Sequence, residues 1–118
     1  MAVIFHQRVV RIRAGVRTDR AGNTLPDWSP GAATRLPVGR LSVQPSTQTE
    51  TAEADRTSVV TGWHVLSAPG TAPDVRSGDR IEFDGLLCEV VGEVARWPDP
   101  ITPGRTHHVE WTMTRSTG

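Results

Sequence analysis

Residue types that could carry chemistry are few in this 118-residue chain: four histidines, His6, His64, His107 and His108, and a single cysteine, Cys88. Neighbouring side chains of a strand point to opposite faces, so the rings of the adjacent His107 and His108 are not expected to share one ion. Zinc sites gather Cys and His at short, fixed spacings. Here the remaining histidines and Cys88 are scattered, and no metal is expected. A nucleophile elbow requires G-x-S-x-G, a phosphate loop G-x-x-x-x-G-K-[ST] and a dinucleotide turn G-x-G-x-x-G; none of the three occurs. With no catalytic pair to name, neither an enzyme activity nor a cofactor is expected.

Aromatic side chains beside cations can stack and neutralise single-stranded nucleic acid. Four Trp and two Phe are present without Tyr, and 13 basic residues balance 13 acids. Trp28, Trp63, Trp97 and Trp111 are therefore expected as core or loop anchors, since a thin core draws much of its burial from its largest side chains. A small β-barrel binding module for a peptide or single-stranded nucleic acid stays as the alternative function. All 13 bases are Arg, as a GC-rich coding bias would produce, and they are unevenly placed. Residues 1–40 carry net charge +5 and residues 41–118 carry −5. Opposite halves suit head-to-tail association of copies, and also occur on ordinary strand surfaces.

These groups must be positioned by short elements. Eleven Gly and nine Pro are spread along the chain, which argues for strands and turns over long helices. The clearest signal is residues 77–97. Asp84-Gly85 there suits a type I′ turn, placing Phe83 opposite Leu86, Glu82 opposite Leu87, Ile81 opposite Cys88 and Arg80 opposite Glu89. Ile81, Phe83, Leu86, Cys88 and Val90 then share a core face, where Cys88 is a buried, inert thiol.

Residues 3–13 read as a first strand with Val10 and Ile12 inward and Arg11 and Arg13 on a cationic outer face. Residues 18–34 read as a long loop pinned by Trp28. In residues 35–44 the apolar phase changes around Gly39, where a bulge accounts for the slip, and Pro45 closes the strand. Residues 46–56 are polar and acidic, without a large apolar side chain, and read as an exposed insertion. Residues 57–68 form a strand with a bend or bulge at Gly62, and residues 107–114 a last strand with Val109, Trp111 and Met113 on one face. The expected fold is all-β: a small antiparallel β-barrel or sandwich of about six strands with long loops, one domain over 1–118. His6 and Arg8 interrupt the N-terminal apolar stretch, and no apolar run approaches the roughly 20 residues that span a bilayer. A soluble intracellular protein with no membrane association is expected.

The order of several short patterns resembles the head-closure proteins of tailed bacteriophages, the head-to-tail stoppers, in the versions from actinobacterial hosts. The carrying residues are Asp19-x-x-Gly22-Asn23, then Asp27-Trp28-Ser29, then Val43-Gln44-Pro45 before the acidic insertion. Gly78-Asp79-Arg80-Ile81, Gly85, Glu89-Val90, Gly92 and Trp97 before a Pro/Gly loop complete the set. The resemblance covers nearly the whole chain. It implies a structural virion protein that forms a ring of six or twelve copies in the neck, assembled in the host cytoplasm. Its neighbours would be the portal-side adaptor and the tail terminator, with packaged double-stranded DNA close by and read without sequence specificity. It also implies that a loop matching Thr47, Gln48, Thr49, Glu50, Thr51, Ala52, Glu53, Ala54 and Asp55 projects into the channel and closes it. Glu50, Glu53 and Asp55 repeated around a ring would repel the DNA backbone. Asp27 and Trp28 are the expected loop and interface anchors.

Overall fold

A computed structural model of the chain describes residues 4–48 and 59–116. Among them every regular element is a strand: β1 (Gln7–Arg13), β2 (Gly15–Thr18), β3 (Thr24–Asp27), β4 (Thr34–Gln48), β5 (Val59–Ser67), β6 (Arg80–Phe83), β7 (Leu86–Pro98) and β8 (Thr106–Arg115). Six of them close an antiparallel barrel in the order β1-β4-β5-β8-β7-β6, and β2 with β3 form a separate two-stranded ribbon. Closure is completed by β1 on β6, where Arg11 lies opposite Ile81 and Ile12 opposite Arg80. No barrel strand is left as a full-length edge, the arrangement that best protects unpaired backbone groups.

The β6–β7 hairpin has the expected register, from Phe83 opposite Leu86 to Arg80 opposite Glu89. Asp84 and Gly85 both take positive φ, 51° and 77°, the requirement of a type I′ turn. Ile81, Cys88 and Val90 enter the core, with Phe83 and Leu86 packed against it. Burial pushes the Cys88 thiol pKa upward, away from reactivity. From β8, Val109, Trp111 and Met113 are fully buried beside Leu41, Val65 and Val75. Each such side chain contributes about 1.5–3 kcal/mol through removal from water.

Irregularities fall near the expected glycines. Between Gln7 and Val9 the β1–β4 register slips, Gln7 facing Leu41 and Val9 facing Val38, so the bulge includes Gly39 and Arg40, whose φ is 54°. A second slip in β4–β5 lies beside Gly62, where an added Cβ would stand 2.8 Å from the Met113 carbonyl oxygen. Close approach of β5 to β8 thus excludes a side chain there.

Three expectations are corrected. Residues 18–34 are not one loop: β2 and β3 pair from Gly15–Asp27 to Thr18–Thr24 within and before that stretch. Nor does Pro45 end β4, which continues to Gln48. Beyond Leu41 β4 pairs with β5 alone, and the Val43 N–H on its open side is taken by the Gln7 side chain at 2.7 Å. Pro45 lies two residues on, so its nitrogen faces the same open side, where no ladder donor is required. In β1, finally, Arg11 is buried with Val9 while Val10 and Ile12 are half-buried. The cationic face points inward because residues 73–79 supply its partners.

Candidate interaction surfaces

Asp27 ends β3 and Trp28 follows it, at the foot of the β2–β3 ribbon. The Asp27 carboxylate accepts from the Ser29 N–H at 3.0 Å and the Ser29 hydroxyl at 2.6 Å, which fixes the turn and holds its pKa below the usual carboxylate value. Trp28 is thereby presented to β6, and the Arg80 guanidinium lies 3.9 Å from its ring centroid. This cation–π contact, worth about 0.5–1 kcal/mol at a partly exposed site, ties the end of the ribbon to β6. A cleft of about 480 Å³ separates the ribbon from residues 76–79, with Val16, Leu25, Pro26 and Trp28 along one wall.

One end of the barrel is fastened by arginines. Arg13 donates Nε to Asp79 Oδ1 at 3.0 Å and Nη2 to Asp79 Oδ2 at 2.9 Å, and its Nη1 reaches Asp74 Oδ2 at 3.0 Å. Arg11 donates to the Asp74 carbonyl at 3.0 Å, and Arg96 to the carbonyls of Pro73 and Val75. Asp79 is itself buried and also accepts the Arg76 N–H. Hydrogen bonds to Asp79 and then Asp74 raise the Arg13 pKa, while the Arg13 bond holds the Asp74 carboxyl below its ordinary range. The planar guanidinium fork suits such bidentate closure. Its result is to seat Val75 in the core.

At another face, β4 and β5 run on together past the partners of β4 in β1. Thr47 pairs with Val60 and Gln48 with Val59 at the end of this ribbon. Of the expected channel-closing residues, Thr47 and Gln48 therefore belong to β4. Thr49, Glu50, Thr51, Ala52, Glu53, Ala54 and Asp55 lie outside the described residues.

A titratable cluster on the outer face of β5 and β8 was missed by the sequence reasoning. Glu110 receives His64 Nε2 at 2.9 Å on one oxygen and His108 Nε2 at 2.8 Å on the other. His107 and His108 meet through their Nδ1 atoms at 2.9 Å, although they are adjacent in a strand. The β7–β8 register explains this: Trp97 faces His108 and Pro98 faces Thr106, leaving His107 bulged. The His108 bond, followed by that from His64 and opposed by desolvation, holds the Glu110 pKa down. Trp97 stacks on His108 at 5.9 Å and 9°, and is 50% exposed, unlike the core residue Trp111 or the half-buried Trp63 against Phe83. The one available signal was the shared alternation of His64 and Glu110, which needed the β5–β8 register to interpret. Among the described residues no group of three or more His, Cys, Asp or Glu is arranged to hold a metal ion.

No family model matches the chain, and no curated protein matches it.

Proposed function

We propose that this protein is a structural subunit of the tailed-bacteriophage neck, forming a ring in the head-to-tail connector. The ring closes the head channel to retain packaged DNA and offers the tail its attachment surface. The observation that carries this reading is the β4–β5 ribbon, which continues beyond the ladders to β1 and β8 and leads into the acidic residues 49–55. A closed barrel with a separate ribbon at its side is a scaffold that can present such a segment without depending on it for stability. The ordered resemblance of turn and strand residues is the support for the choice of assembly. The portal-side adaptor, the tail terminator and DNA are the proposed neighbours, and no catalytic role is assigned.

Removal of residues 49–55 tests the role of the segment. The shortened chain should keep its barrel, enter the neck and allow tails to join, while the heads lose DNA. Heads that keep their DNA with the shortened chain in place would remove the gating role.

The exposed Trp97 stacked on His108 favours a second reading, a binding module for peptide or single-stranded nucleic acid. Salt-dependent oligonucleotide binding by the isolated chain, lost in Trp97→Ala, supports that reading; no binding at low salt rejects its nucleic-acid form.

A further inference from the structure

Two features at opposite ends of β7 are complementary. At its start, Ile12, Pro30, Ala33 and Leu87 give an apolar lining to a pocket of about 230 Å³, with Arg35 and Arg80 supplying the charge. Arg35 is already paired with Glu82 at 3.0 Å. Arg80 places its guanidinium carbon 3.9 Å from the Trp28 ring centroid, and its side chain makes no hydrogen bond to any described residue, so its N–H groups are open to a partner. Such a guanidinium suits a carboxylate placed next to an aliphatic side chain.

Beyond the far end of β7 lies that combination. Ile101 is 86% exposed, the most exposed large hydrophobic among the described residues. Asp99 Oδ1 accepts the N–H groups of Ile101 at 2.8 Å and Thr102 at 3.2 Å, so the aliphatic tip and the carboxylate are held as one rigid unit. These bonds also keep Asp99 below the usual carboxylate pKa, and both fall on Oδ1, leaving Oδ2 to face a partner. Ile101 is exposed and none of residues 98–104 lines the pocket, so a chain does not seat its own tip in its own pocket.

We propose that a second copy of this chain seats its Ile101 tip in the pocket beside Trp28, with its Asp99 carboxylate on Arg80. The contact joins different surfaces of the two copies, so it repeats head to tail and generates a ring where the rotation closes. It deepens the neck reading by supplying the subunit contact, and rests on that reading only for closure into a ring.

The test mixes a chain carrying Ala33→Cys with one carrying Ile101→Cys under mild oxidation, Cys88 being buried. In parallel, self-association of the unmodified chain is followed by sedimentation from micromolar to millimolar concentration. The mixture should give a disulfide-linked heterodimer as its main product. Ile101→Asp should weaken self-association by about tenfold or more without changing the melting temperature, and Arg80→Gln should weaken it while Arg80→Lys retains part of it. A chain that stays monomeric at millimolar concentration and gives no heterodimer overturns the proposal. So does self-association that is unchanged in Ile101→Asp and lost in Val16→Asp, which would place the contact on the β2–β3 ribbon. Heads that retain DNA without this protein would reject the neck function and leave the contact between copies standing.

Discussion

Arg13 and Asp79 face each other across the barrel end through two parallel hydrogen bonds of 3.0 and 2.9 Å, 66 residues apart in sequence. The aspartate side chain is 5% exposed and the arginine 22%. Removing Asp79 leaves Arg13 only its bonds to Asp74 and leaves the Arg76 N–H without its acceptor, so Asp79→Ala should cost about 2 kcal/mol, less than a buried pair broken outright. Urea unfolding measures this. Glu82→Ala, which removes the surface partner of Arg35, should cost less than about 1 kcal/mol.

Acid should weaken two places in the fold, the Arg13 barrel end and the outer face of β5 and β8. Asp74 and Glu110 have folded pKa values lowered from 3.8 and 4.5, chiefly by hydrogen bonds from Arg13 and His108. A depressed folded pKa gives stability that is present above the unfolded value and lost as pH falls through the folded one. Stability should therefore be retained down to about pH 5 and fall below about pH 4. Asp74→Asn should flatten that fall, as followed by thermal melting across pH.

The β6–β7 hairpin and the inward face of β8 were legible because each depends on local information. Asp84-Gly85 defines a turn, and alternation then fixes which side chains enter the core. Gly39 and Gly62 marked bulges because phase changes are also local. The inward Arg11 and Arg13 were not legible: alternation of Val and Arg fits either phase, and the deciding partners lie 61 to 66 residues away. The four-residue strands β2 and β3 sit among Gly, Pro and Asp that equally well describe a loop. His107 and His108 meet only because of a register slip with β7, and the Arg80–Trp28 contact depends on barrel closure.

Gly62→Ala should destabilise the barrel by about 1–3 kcal/mol, the cost of overpacking a tight contact. The added methyl carbon meets the Met113 carbonyl oxygen at 2.8 Å, a backbone atom that cannot rotate away. Gly31→Ala serves as the control, since an added Cβ there meets nothing within 4 Å. Urea midpoints of the two variants should separate accordingly.

Trp28→Ala should free the β2–β3 ribbon and leave the barrel intact. A two-stranded ribbon is marginal by itself in water, and this one is tied down by Trp28 under Arg80. Amide exchange at Val16, Arg17 and Leu25 should accelerate, while the melting temperature moves by about 5 °C or less. Equal acceleration throughout β5 and β8 would show that Trp28 supports the core as well.

The proposed role in the neck is tested most directly by assembling phage particles without this protein and measuring DNA retention and tail attachment. Filled heads should lose their DNA and fail to join tails, and purified protein added during assembly should restore both. Heads that keep their genome and join tails normally in its absence would contradict the account.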